Sequence, residues 1–200
     1  MRKLAKMLNQ ISDRQGSLGF TSLKEVEKPA VATFQSITNQ SDLEALTASD
    51  ISAILIADDS ILESYTPPHS VLIGLDLRQQ NQISNKDHYE KIDFAVVDLG
   101  TNLGILDNEN CGLVLEIELA EDTKNVTELI QLLQGKQALP IDAILLSGSL
   151  STELDSIKNQ LNIRRFNEAV GLPLIITESP THSDPERLRS LGIKGSVVPA

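Results

Sequence analysis

Residues 70–78, SVLIGLDLR, and residues 91–100, KIDFAVVDLG, decide the fold. Each is a short run of Val, Ile, Leu or Phe that ends beside an aspartate, Asp76 in the first and Asp98 in the second. The same paired phrase recurs on either side: PAVATFQ (29–35) leads to DISAILIADD (50–59), GLVLEIELAED (112–122) to PIDAILLSG (140–148), and PLIITES (173–179) to GIKGSVVPA (192–200). Near-continuous apolar runs of this length are what strands buried on both faces require, and parallel strands need crossovers of about the length that separates these runs. A closed barrel is expected over an open doubly wound sheet because closure removes both exposed edges. A shortened or incomplete barrel is the remaining alternative.

The bounds agree with one compact domain. A chain of 200 residues buries a substantial core but is small for an eight-stranded barrel, which typically needs about 250, so its loops must be short. The hydrophobic content of 40% is ordinary for a globular protein, and no apolar stretch approaches the ~20 residues that span a bilayer. The amino terminus, MRKLAKMLNQI, lacks the apolar core and cleavage site of a secretory signal. A single cysteine, Cys111, excludes an internal disulfide and suits a reducing, cytoplasmic location. The formal net charge of −11 repels nucleic acid and anionic membrane at long range, so neither is an expected partner.

Leu4, Met7, Leu8 and Ile11 at i, i+3, i+4 and i+7 predict a helix over 2–11. Residues 1–28 are therefore read as an amino-terminal helix and linker, and 29–200 as the barrel, together one domain. No helix can follow Ala200, so the expected architecture lacks a carboxyl-terminal eighth helix, and the first helix is expected to fold over the seam between strands eight and one. Ser41 or Asp42 is expected to cap a helix through Leu43 and Leu46. Val126, Leu129, Ile130, Leu132 and Leu133 form the stripe of a helix starting at Asp122 or Thr123, and Leu154, Ile157, Leu161 and Phe166 that of a helix starting near Ser151 and stopping at Gly171. Asp184-Pro185-Glu186 supplies an N-cap, an N1 proline and a first-turn acid for the last short helix.

With this order of elements the chain resembles the TIM-barrel superfamily, and PLIITES…DPERLRSLGIKGSVVPA is similar to the segment joining strands seven and eight in its phosphate-binding members. The resemblance implies an α/β barrel with its chemistry at the carboxyl ends of the strands. It covers the whole chain at the level of strand order and is distinctive only over the last 30 or so residues. The glycines that expose backbone N–H groups to phosphate in those members are replaced here by Glu178-Ser179-Pro180-Thr181, where proline removes a donor and glutamate adds negative charge. The phosphate cradle is not carried over.

The strand ends offer Gln35, Asp58 with Asp59, Asp76 with Arg78, Asp98, Glu116 with Glu118, Ser147 with Ser149, and Glu178. Strand alternation turns Val114, Glu116 and Glu118 inward, with Asp76 on the face of Gly74, Asp98 on that of Val96 and Glu178 on that of Ile176. Converging carboxylates are compensated by raised pKa values or by cations. Mg²⁺ or Mn²⁺ is one possible cofactor, with Asp76 and Glu116 as ligands. Asp98 and Glu118 are the candidate acid and base, Arg78 a clamp for an anionic group, and Gln35, Ser147, Ser149 and Glu178 the candidate substrate contacts. The alternative for all these acids is helix capping or solvation. Lysine is absent from the inward positions, which disfavours a Schiff-base mechanism. His69, His88 and His182 fall in connections without metal-ligand spacing and are read as surface or turn residues, and Cys111 as a small buried residue at the end away from the site. Ser147-Gly148-Ser149 is an incomplete nucleophile elbow. Arg164, Arg165, Arg187 and Arg189 are read as solvated helix positions. Two function classes stay open: a small-molecule enzyme of lyase or isomerase type, or a noncatalytic barrel that binds a ligand or a protein, including a second copy of itself.

Overall fold

The computed structural model describes residues 2–12, 31–44, 46, 51–63, 70–78, 88, 90–101, 110–119, 123–135, 140–148, 154–177 and 184–199. Eight strands pair in sequence order, all parallel, and the sheet closes. They are β1 (Ala32–Ile37), β2 (Ala53–Ile56), β3 (Leu72–Asp76), β4 (Phe94–Val97), β5 (Gly112–Glu118), β6 (Ala143–Ser147), β7 (Leu174–Thr177) and β8 (Ile193–Val198). The helices are α1 (Lys3–Ser12), α2 (Gln40–Glu44), α3 (Thr123–Gly135), α4 (Ile157–Val170) and α5 (Pro185–Ser190), with a 3-10 turn over Asp59–Glu63. No helix among the described residues is long and apolar enough to cross a membrane.

The expected alternation sorts the apolar residues into two cores. One lies between the sheet and the outer layer and takes Ile54, Ile56, Leu113, Leu115 and Ile117 with Val126, Ile163 and Phe166 of the helices. The other fills the lumen with Phe34, Leu55, Phe94, Val96, Val114, Leu145, Ile175 and Val197. Phe34 and Phe94 meet edge to face, 5.7 Å between centroids at 86°, a favoured aromatic geometry. Glycines make the room: a Cβ on Gly74 would stand 2.1 Å from the Phe94 ring, and one on Gly195 would stand 2.6 Å from that of Phe34. Two large rings thus fill a lumen whose other strands supply small or aliphatic residues, which is how a small barrel avoids a void.

The first helix corrects an expectation. It does not pack on the outside of the seam, where β1 and β8 pair with Ala32 opposite Gly195 and Phe34 opposite Val197, because its apolar residues belong to the lumen core. Instead α1 closes the amino-terminal mouth. Leu4 and Leu8 are fully buried within the lumen core, and a Cβ on Gly112 at the start of β5 would stand 3.1 Å from that of Leu4. Arg2 donates to Pro140 O and to Asp142 just before β6, both at 2.7 Å, and Lys3 reaches Asp93 just before β4 at 2.6 Å. Ends of strands that no helix covers would expose the lumen core to water, and burial of the α1 stripe removes that surface.

Three local expectations also shift. Asn39 caps α2: its side chain accepts from Asp42 N at 3.1 Å, while Asp42 accepts from the N–H groups of Thr38 and Asn39 and from the Thr38 hydroxyl. This is a reciprocal capping box that starts two or three residues earlier than expected. The α4 helix begins after Ser156, so Leu154 is buried in the preceding turn, and the buried face consists of Asn159, Asn162, Ile163 and Phe166. Ile157 and Leu161, expected inside, face solvent. Arg187, expected to be solvated, spans back to that turn through Leu154 O and Asp155. Gly171 ends α4 in the left-handed region as anticipated, with φ 67°, and Asp184 caps α5 by accepting from Glu186 N at 3.0 Å.

Cys111 is buried at the amino-terminal end, as expected, and burial pushes its thiol up to about 12. It should resist iodoacetamide at pH 8 in the native state and react at an ordinary rate only in denaturant, as followed by mass spectrometry. Truncating the plug should be severe for one helix residue: Leu8→Ala is expected to cost about 2–5 kcal/mol in urea unfolding. A loss within error of zero would mean that α1 contributes no packing to the lumen.

Candidate functional site

The carboxyl ends of β3, β4 and β5 bring the inward acids together. Ile73 and Leu75 of β3 and Leu113, Leu115 and Ile117 of β5 go to the outer core, and the alternation that places them there turns Asp76, Glu116 and Glu118 toward the lumen axis. Arg78, two residues past Asp76, folds back over them. Its Nε donates to Asp76 Oδ1 at 2.8 Å, its second terminal nitrogen donates to Asp76 Oδ2, and its first donates to Glu116 Oε1 at 2.5 Å. The Arg78 backbone N–H adds a bond to Asp76 Oδ1 at 3.1 Å. Asp76 thus receives the guanidinium fork-to-fork while Glu116 holds its outer edge, and all three side chains are largely shielded from solvent. The Asp76 hydrogen bonds, opposed by burial and reinforced by Glu116, raise the guanidinium further above its already high pKa. Arg78 stays charged at any relevant pH.

Asp98 closes the neighbouring strand. It accepts from the Thr101 hydroxyl and from Gly100 N, each at 2.8 Å, and its own N–H donates to Thr101 Oγ1. The Thr101 hydroxyl, then the Gly100 and Thr101 N–H groups, and finally the charge of Arg78 hold its carboxyl below the usual range, against the opposing effect of burial. Glu118 is exposed at the end of β5, opposite Ser147, and its side chain runs along Gly148. Gly148 has φ 91°, and a Cβ there would stand 2.8 Å from Glu118 Cγ. A glycine is needed at this turn both for the backbone angle and for the close approach.

Of the residues expected at the site, Asp76, Arg78, Asp98, Glu116, Glu118 and Ser147 share the carboxyl end of β3 to β6. Gln35 does not point to the lumen: it lies on the outer side with Ile37 and Ile54, and donates to Pro199 O at 2.7 Å, joining β1 to the end of β8. Ser149 and Glu178 lie outside the described residues. Asp58 caps the 3-10 turn through Ser60 N. Asp76 and Glu116, the expected metal ligands, face the Arg78 guanidinium, and no group of three or more His, Cys, Asp or Glu arranged to hold a metal occurs among the described residues.

Two features were not anticipated. Thr101 anchors Asp98, and its only trace in the sequence is the Asp-x-x-Thr spacing that suits a side-chain turn. His88, read as a surface residue, is buried against Asp59, Nδ1 to Oδ2 at 3.2 Å. With Lys91 Nζ donating to Leu62 O at 2.8 Å, it ties the chain entering β4 to the 3-10 turn after β2. His69 and His182 lie outside the described residues.

No protein-family model matches the chain, and neither does any characterised protein sequence. Solved structures do. The carboxyl transferase domain of Rhizobium etli pyruvate carboxylase with oxalate is 12% identical with a TM-score of 0.61, over 87% of this chain and 40% of that one. A glycerol uptake operon antiterminator regulatory protein from Listeria monocytogenes is 13% identical with a TM-score of 0.60, over 89% of this chain and 95% of that one. The chain therefore spans under half the length of the first and nearly all of the second. One neighbour is an enzyme domain and the other a regulator, so the likeness shows the fold alone. The chain has the TIM-barrel fold, and no particular family is indicated.

Proposed function

We propose that the chain is a ligand-binding barrel whose carboxyl-end mouth takes a small cationic or polyhydroxylated molecule. The observation that carries this reading is the Arg78 clasp. A guanidinium already held by Asp76 and Glu116 is a rigid floor for a site, and it is not available as a clamp for an anion. Four carboxylates, Asp76, Asp98, Glu116 and Glu118, stand against one guanidinium, a formal balance of −3 among the described residues of the mouth. A negative field concentrated in a concave mouth recruits cations and repels phosphates. Donors of the Arg78 fork left over from its carboxylates can meet a ligand hydroxyl, while Asp98 and the exposed Glu118 accept from its N–H or O–H groups.

The enzymatic reading, a lyase or isomerase, draws on the same residues. Asp98, held ionised by Thr101, suits the role of base better than that of acid, and the partner acid would be Glu118. A divalent cation would compete with Arg78 for Asp76 and Glu116. The clasp therefore favours a site in which the guanidinium takes the place that Mg²⁺ or Mn²⁺ would hold.

Three measurements test this. In calorimetric titrations a diamine or an amino sugar should bind and a sugar phosphate should not, with Glu118→Gln and Asp98→Asn each weakening binding. Tight binding of the phosphate, or indifference to both substitutions, would sink the proposal. Protonation of Asp98 removes one attractive charge, so affinity should decline as pH falls. Because its carboxyl is held low, the part of the decline that Asp98→Asn abolishes should fall below the usual carboxylate range in the native chain and at higher pH in Thr101→Val. Removal of the cation should leave two facing carboxylates without compensation: Arg78→Gln is expected to cost about 3–5 kcal/mol in urea unfolding, and Mg²⁺ should restore part of that loss. A native chain stabilised by about 2.7 kcal/mol with Mg²⁺ or Mn²⁺ at 100 times its dissociation constant would favour the metal reading instead.

A further inference from the structure

The α4 helix turns Asn159, Asn162, Ile163 and Phe166 inward. Ile157, 76% exposed, and Leu161, 60% exposed, therefore stand one above the other on its outer face. Large aliphatic side chains this exposed, one turn apart, form a ridge rather than a scattered pair. Leu132, on the α3 helix packed beside α4, is a third exposed apolar residue. The exposed charges around the ridge are Asp155 ahead of the helix, Lys158 next to Ile157, Arg164 and Arg165 after Leu161, and Glu168 one turn further on. Arg164, three residues after Leu161, is exposed on the same face, and Asp155, two residues before Ile157, is exposed just ahead of the helix, with Arg187 on one of its oxygens.

We propose that α4 is the contact face of a two-fold symmetric dimer, in which a second copy of this chain lays its α4 antiparallel on the first. A two-fold interface must complement itself, and this face does. With the axis level with Asn159, midway between the two apolar residues, Ile157 of each copy meets Leu161 of the other. At 1.5 Å per residue Arg164 lies about 7.5 Å to one side of that level, and Asp155, ahead of the N-cap Ser156, lies beyond Ile157 on the other. The same placement that joins the ridges therefore brings each Arg164 to the side on which the opposite Asp155 stands. A parallel arrangement would set Arg164 against Arg164. An exposed carboxylate accepts more than one donor, so the Arg187 pair does not preclude the second.

Sedimentation of the full chain from micromolar to high-micromolar concentration should show a monomer–dimer equilibrium. Leu161→Glu should weaken it about tenfold or more, as expected for a charge introduced at the centre of an apolar contact, with an unchanged melting temperature at concentrations where the native chain is monomeric, because the side chain is exposed in the single chain. For the register, Ile157→Cys and Leu161→Cys variants mixed in equal amounts and oxidised should link 157 to 161 in preference to 157 to 157, while buried Cys111 stays out of the exchange. A chain that stays monomeric throughout would overturn the proposal and leave the ridge to a partner of different sequence. So would a dimer indifferent to Leu161→Glu, or a preference for the 157 to 157 link.

Discussion

Parallel pairing of β8 with β1 is the constraint on which the rest of the molecule depends. It leaves no strand edge among the eight, so every backbone group along the sheet has a neighbour, and it sets the circumference that the lumen side chains must fill. A ring of this size with short strands has little internal volume. Two phenylalanines occupy much of it, and they fit because glycine stands where each ring lies, Gly74 under Phe94 and Gly195 under Phe34. The register shifts by one residue at the start of β7 and β8, Leu174 lying opposite Ile193 and Ile175 opposite Gly195.

Closure also polarises the barrel. Below the phenylalanines the lumen is apolar and is stoppered by α1, whose Leu4 and Leu8 complete the core. Above them the inward positions of β3 and β5 become Asp76, Glu116 and Glu118. Acids so close to an apolar core need compensation, and Arg78 supplies it from two residues beyond one of the strands it neutralises. This clasp is local on one side, Asp76, and long-range on the other, Glu116, so it pins the end of β3 to that of β5 across β4. A ligand site of the kind proposed would have its floor held by this cross-link before any ligand arrives.

Much of this was legible in the residues. Each phrase of the fourfold repeat overlaps its strand, because fully buried parallel strands need apolar runs that no surface segment carries. Alternation also predicts which acids turn inward: Asp76, Glu116 and Glu118 follow from Gly74 and Val114 alone. Gln35 was misplaced because it was read from its position near a strand end without applying the same parity, which puts it beside Ile37 on the outer side. The α4 stripe was misjudged for a different reason. Leu154, Ile157, Leu161 and Phe166 have helical spacing, but the helix begins after Ser156, and the packing of Ile163 and Phe166 against the sheet rotates Ile157 and Leu161 outward.

Periodicity and composition by themselves determined that the chain forms buried parallel strands and that the acids of β3 and β5 turn inward, since these depend on burial that every residue reports locally. Tertiary structure alone decided three things: that Arg78 meets Glu116, that His88 meets Asp59, and that α1 stoppers the amino-terminal mouth instead of covering the seam. Each is a contact between residues distant in sequence, and its energy comes from desolvation and geometry that exist only once the sheet has closed.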